Sequence, residues 1–216
     1  MSPIEQYPLD DCGSFSWLLG PSDPASRAST ALVLDAGTLL IDPLEADGLD
    51  ELLAPLPPLI GVTSLLDRHG RDAAAIADRR GVPQLVPAAL GGPGLGLAGA
   101  EERPVIVRSR WKEALLWVPD RRLLICPETL GTAPFDLASP HDRLGMHPLA
   151  RVYRPAAAFA GLDPAVIAVG HGQPLRDAEG LLAPTLASGL RGIPRSWLRL
   201  PLEAFRASRA ARRARR

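Results

Sequence analysis

Residues 60–86 read IGVTSLLDRHGRDAAAIADRRGVPQLV, and the fold class follows from how this stretch divides. The apolar run Ile60-Gly61-Val62-Thr63 has the length of a buried strand. A polar loop follows, and from Gly70 to Arg80 the apolar residues Ala73, Ala74, Ile76 and Ala77 recur at helical spacing. Gly81 and Pro83 end that helix, after which Gln84-Leu85-Val86 opens another strand. The unit is strand, loop, helix, strand, which holds Leu65 to Arg71 at the C-terminal end of the first strand. In α/β proteins, sites gather there.

The flanking sequence repeats the same grammar. Upstream, Phe15 to Leu19 is a short strand, and ALVLDAGTLLIDPL (31–44) is a hairpin turning at Asp35-Ala36-Gly37 and ending in Asp42-Pro43. Glu45 to Leu53 reads as a short helix. Downstream, Val105 to Val107 is a strand, and ALLWVPDRRLLIC (114–126) is a second hairpin that runs into Pro127-Glu128-Thr129-Leu130. Pro164 to Val169 is a strand leading to Gly170-His171-Gly172, with a helix over roughly Asp177 to Leu190 and a terminal one around Leu202 to Ala211. Alternating strands and helices make the class α/β. Gly94, Gly96 and Gly99 match a dinucleotide fingerprint by letter, but Pro93 and Pro104 leave no room for the helix that must open from it, so the segment is a loop.

Composition bounds the partners. The chain has 216 residues, 46% of them hydrophobic, enough for one substantial core over residues 1–200. Net charge is zero, which argues against a global attraction to nucleic acid or anionic lipid. The basic segment 201–216, with Arg206, Arg209, Arg212, Arg213, Arg215 and Arg216, admits three readings: a solvated end, a nucleic-acid contact, or an interfacial helix. The N-terminus lacks a secretory pattern, and no run approaches the roughly 18 apolar residues of a membrane span. Cys12 and Cys126 are too few for a disulfide framework. The expectation is a soluble, cytoplasmic protein with two structural thiols and no membrane partner; oligomeric state is not legible.

The central unit resembles the signature region of the metallo-β-lactamase superfamily, in which a strand ending in Thr leads to a His-x-His-x-Asp-His loop and a helix. Thr63 matches the Thr and His69 the final His, while Ser64, Leu66 and Arg68 stand at the other ligand positions. Glu128 falls where the superfamily carries a metal-bridging Asp, and Gly170-His171-Gly172 matches its last ligand loop. The stretch Arg108 to Lys112, where a further histidine is expected, has none. The resemblance runs from about Phe15 to Gln173 and implies an αββα sandwich of two mixed sheets flanked by helices. It places Asp42 where an Asp supports the metal-ligand loop; a strand-end Asp capping the next turn is the equal alternative.

For the first metal of that superfamily the resemblance leaves no site. For the second it leaves His69, Glu128 and His171, a plausible His₂-carboxylate set, although His69 could equally cap the helix after it. Arg68 opposes a cation: two unit charges about 4 Å apart at an effective dielectric near 20 interact by about 4 kcal/mol, and a dication doubles this to about 8 kcal/mol, here repulsive. The expectation is thus a largely lost metal site, with Arg68 in ion pairs to Glu128 or Asp42, no resident cofactor, and a non-catalytic or altered-function binding module. In the pocket of Asp42, Ser64, Arg68, Arg110, Trp111 and Lys112, the cations Arg68, Arg110 and Lys112 would hold a small anionic ligand. The alternative is a hydrolase of esters, thioesters or phosphoesters with one zinc, iron or manganese ion at His69, Glu128 and His171. His141 and His147, in a Pro/Asp/Gly loop, read as surface residues.

Overall fold

The computed structural model describes residues 4–20, 23, 25–69 and 71–193. Its first sheet has six strands in sequence order: β1 (Glu5–Pro8), β2 (Phe15–Leu18), β3 (Ala28–Leu34), β4 (Gly37–Ile41), β5 (Leu59–Thr63) and β6 (Gln84–Leu85). The strands are antiparallel as far as β4, and β4, β5 and β6 then run parallel through the helices α1 (Leu49–Leu53) and α2 (Ala73–Arg80). The second sheet contains β7 (Glu101–Arg108), β8 (Trp111–Val118), β9 (Leu123–Cys126), β12 (Val166–Val169) and β13 (Leu175–Arg176), in the order β13-β12-β9-β8-β7, with β9 and β12 parallel. Between β9 and β12 lie the short pair β10 (Leu130–Gly131) and β11 (Gly145–Met146) and helix α3 (Pro148–Tyr153); α4 (Leu182–Ser188) follows β13.

Period-2 alternation builds the layers. Leu32, Leu34, Leu39 and Ile41 of the first sheet meet Leu116, Val118, Leu123 and Ile125 of the second in one central core. The intervening residues point the other way. Ala31, Leu40 and Val62 pack against Leu49, Ile76 and Ala77 of α1 and α2, while Leu115, Trp117, Leu124 and Ile167 pack against Phe159 and Leu182. Two mixed sheets back to back with helices outside is the expected αββα arrangement. Strands covered on both faces read as unbroken apolar runs, which is why LLIDPL and RRLLIC show no alternation.

Three helices begin later than the sequence suggests, each for a backbone reason. Gly48, at φ +83°, precedes α1; Arg71, at φ +32°, stands where α2 was expected to have started; Asp177 and Gly180, at φ +55° and +72°, delay α4. At its other end α2 stops at Gly81 in the left-handed conformation, its N–H bonded to the carbonyls of Ala77 and Asp78. The glycine segment 91–100 is a loop, and Glu102 closes it by accepting from the N–H groups of Ala88 and Leu95 at 2.7 and 2.9 Å. Both thiols are free; Cys126 is buried, but Cys12 is exposed and so not the structural thiol expected. No helix among the described residues is long and apolar enough to cross a membrane. The terminal helix expected around 202–211 lies outside the described residues.

Candidate functional site

Four strands deliver their C-terminal ends to one place. Asp42 follows β4, the loop 64–69 follows β5, Glu128 follows β9, and His171 follows β12. Glu128 is the centre: its Oε2 lies 3.0 Å from His69 Nε2 and 3.2 Å from His171 Nε2. Its Oε1 lies 3.4 Å from Nε2 of a third imidazole, that of His147.

The far side of each imidazole fixes its tautomer. His171 Nδ1 is 2.8 Å from the carbonyl of Ala25, which can only accept, so Nδ1 carries the proton. His69 Nδ1 is 3.3 Å from Asp42 Oδ2, an electrostatic contact rather than a well-aligned hydrogen bond, with the same result. In their neutral forms His69 and His171 would therefore turn Nε2 lone pairs toward a carboxylate oxygen. Three lone-pair donors meet there, and either protons or a cation must lie between them. His147 is the reverse: its Nδ1 accepts from the N–H of Leu149, capping α3, so its proton sits on Nε2.

Charges follow the geometry. Burial of His69 works against its protonation, but the close Asp42 carboxylate and the hydrogen bond with Glu128 outweigh it and raise its pKa. Burial likewise works to raise Glu128, yet the two imidazoles hold its carboxyl far below the usual carboxylate range. Burial pushes His147 down to about 4 against the pull of Glu128, so it is neutral at pH 7. Behind Glu128, the fully buried Glu113 of β8 accepts from the N–H groups of Glu128 and Thr129 at 3.1 and 2.8 Å, from Thr129 Oγ1 at 2.7 Å and from Trp111 Nε1 at 2.8 Å. It fixes the turn that presents Glu128.

Solved structures with the same path of the chain were found. A metallo-β-lactamase from Hirschia baltica is 12% identical, with a TM-score of 0.58 over 86% of this chain and 97% of that one. TMB-1 gives 11%, 0.55, 88% and 99%. The chain has the metallo-β-lactamase fold. An NDM_FIM-1-like metallo-β-lactamase from Erythrobacter litoralis, in its mono-zinc form, is 14% identical with a TM-score of 0.52, covering 89% of this chain and 96% of that one. No protein-family model matches the sequence, and no curated protein is similar enough to be matched.

Within the metallo-β-lactamase fold, the residues expected to form the site divide. His69, Glu128 and His171 converge, their donor atoms all within 4.8 Å of one another. Asp42 turns its carboxylate to the loop 64–69, accepting from Leu65 N at 3.3 Å as well as facing His69. Ser64 Oγ donates to the carbonyl of His69, which shapes the loop from inside. Leu66 and Trp111, at positions where the resemblance expects histidines, are 1% exposed and pack with Ile106, Met146 and Ala150 into an apolar plug. Arg110 is exposed and Lys112 half-buried, and among the described residues Glu128 pairs with His69, His147 and His171 and with neither of these cations.

The expected role of Arg68 is corrected. It is exposed, its guanidinium lies 4.0 Å over the ring of Trp111, and among the described residues it pairs with neither Glu128 nor Asp42. The guanidinium that ties the loops together belongs to Arg71. It donates to the carbonyls of Ala28, of Asp42 at 2.8 Å and of Gly170 at 3.0 Å, joining the approaches to β3, α1 and His171. The surface assignment of His147 is likewise overturned: its ring packs edge-on against Trp111 at 5.1 Å, with Glu128 on its other side. The signal for it was His147-Pro148, a polar residue before a proline that can open a helix. For Glu113 the signal was a lone acid inside the apolar strand WKEALLWV. His141 is exposed, as expected.

Proposed function

We propose that this protein is a metal-dependent hydrolase that holds one zinc, iron or manganese ion through His69, Glu128 and His171. The observation that carries this reading is the donor set: two imidazoles, His171 hydrogen-bonded at Nδ1 to the Ala25 carbonyl and His69 facing the Asp42 carboxylate at Nδ1, turn Nε2 toward one carboxylate oxygen. Metal-binding histidines are oriented in this way by a carboxylate or carbonyl on the other nitrogen. Zinc–nitrogen and zinc–oxygen bonds of about 2.1 Å in a tetrahedron separate ligand atoms by about 3.4 Å. The 3.0 and 3.2 Å spacings here are close to those edges. The mono-zinc state of the Erythrobacter litoralis protein supports a one-ion site on this fold.

Such an ion supplies a Lewis acid that brings the pKa of water toward neutrality. The chain's own residues do the rest. Asp42 and the Ala25 carbonyl orient the imidazoles, Glu113 fixes the Glu128 turn, and His147 keeps a proton on Nε2 beside Glu128. Arg68, held over the ring of Trp111, is the cation that meets an anionic group of the substrate, in place of the Arg68, Arg110 and Lys112 cluster expected from sequence. Esters, thioesters and phosphoesters remain the substrate class.

A second reading has one observation in its favour. The Arg71 guanidinium acts electrostatically on Glu128 and Asp42, and with His69 and His171 both protonated the cluster is a metal-free ion-pair lock. Elemental analysis of protein grown with supplemented metals separates the two. About one zinc, iron or manganese per chain, lost in His171→Ala, is expected; a metal-free wild-type protein that stays folded sinks the hydrolase reading.

A further inference from the structure

Away from the Glu128 cluster, Arg151 of α3, residues 154–156, Met146 and residues 186–191 line an open-sided cavity of about 390 Å³, in the size range of small-molecule sites. Its apolar walls include Met146, Pro155, Leu186 and Leu190. Three arginines contribute to the lining, Arg151, Arg154 and Arg191, and among the described residues no acidic side chain does.

The three arginines differ in what already occupies them. Arg151 is 1% exposed, and its donors go to neutral acceptors: Met146 O at 3.1 Å, Ser188 Oγ at 2.8 Å, Gly189 O at 3.2 Å and Asp136 O at 3.0 Å. Asp136 and Asp142 act on it electrostatically, but neither belongs to the lining. Gly192 closes over it, since a Cβ there would come within 2.6 Å of Arg151 Nη1. Arg154 and Arg191 are exposed and make no ion pair among the described residues. Arg154 also sits at φ +51°, directly before Pro155, in a backbone conformation that glycine holds with less strain.

An acid-free lining with unpaired guanidiniums repels cations and attracts anions, and a guanidinium fork matches a carboxylate in two parallel hydrogen bonds. A bare inorganic anion would leave the apolar wall uncovered. We propose that this cavity binds a small carboxylate with an apolar body, its head between Arg154 and Arg191 and its hydrocarbon against Met146, Pro155, Leu186 and Leu190. The site is independent of the metal reading. It nevertheless adjoins that site through the chain, because Met146 directly precedes His147.

Decanoate below its micellar concentration is the probe, titrated calorimetrically into the full-length protein in the presence of a chelator, so that carboxylate binding to a metal plays no part. One saturable site is expected. Arg154→Ala/Arg191→Ala should weaken it at least tenfold, and Ala187→Trp, a substitution at an exposed cavity-lining position, should abolish it. Both variants change exposed side chains, and circular dichroism verifies that each is folded. The neutral 1-decanol should bind at least tenfold more weakly than decanoate. The proposal is overturned by the absence of saturable binding, by unchanged affinity in the folded double variant, by 1-decanol binding as tightly as decanoate, or by inorganic phosphate alone displacing the probe.

Discussion

Arg71 and Arg68 lie in one loop, and their fates show how much a single backbone angle decides. At φ +32° Arg71 leaves the helical path and turns its guanidinium onto three main-chain carbonyls; its Nε is sealed from solvent without a partner. Arg71→Ala would strand those carbonyls, and a loss of about 3 kcal/mol is expected in urea unfolding. A loss below about 1 kcal/mol would show that the clasp is ornamental. No helical or strand period assigns sides to residues in a loop, so the sequence Arg68-His69-Gly70-Arg71 could not say which arginine turns inward. Asp136 makes a different test. It is fully buried, with Oδ1 unpartnered. Burial and the charge of Glu128 raise its carboxyl well above the usual range, against the pull of Arg151. A raised folded pKa means that its contribution is complete below the unfolded value of about 3.9 and is lost as pH rises through the folded value. Asp136→Asn should therefore raise the melting temperature at pH 7 and leave it nearly unchanged at pH 3.5; equal shifts at both would contradict a neutral buried acid.

At the scale of elements, the site depends on how closely β9 and β12 release their loops. A Cβ at Gly170 would lie 2.0 Å from the Pro127 carbonyl oxygen and 3.0 Å from His69 Cε1. Only glycine lets the His171 loop pass under the Glu128 turn, and both contacts are with groups that cannot swing aside freely. Gly170→Ala should cost about 3 kcal/mol of stability and separate His171 from Glu128, read as lost metal content in the protein that remains folded. Retained metal at wild-type stability would mean that the loops have slack. The motif Gly170-His171-Gly172 was legible because its conformation is written in glycines. The strands β2 to β5, β8, β9 and β12 were legible because their runs are apolar and bounded by turns. Helix α3 was not: PLARVY is too short for periodicity to register, and the exposed Leu149, Val152 and Tyr153 blur its buried face. With α3 hidden, His147 looked like a surface residue, although it is the N-cap of that helix.

For the whole molecule, the αββα order of layers follows from strands that bury both faces, and it leaves the site where four strand ends meet on one edge of the sandwich. Each candidate ligand comes from a loop after a different strand, Glu128 and His171 from the second sheet and His69 from the first. An ion bound there would cross-link the two sheets and favour the folded chain over the unfolded one, which holds no such site. At a free metal concentration one hundred times the dissociation constant, that linkage amounts to about 2.7 kcal/mol. For a chain of roughly this size each kcal/mol shifts the melting temperature by about 2–4 °C, so saturating zinc or manganese should raise it by roughly 5–10 °C. Glu128→Gln keeps the shape of the side chain but removes the charge that draws the cation. It should abolish the shift while leaving the metal-free protein folded. A wild-type melting curve that does not move with metal, or one that moves equally in Glu128→Gln, would mean that at this edge of the sandwich the imidazole–carboxylate contacts and the Arg71 clasp, with no ion, supplement the shared apolar core in holding the sheets together.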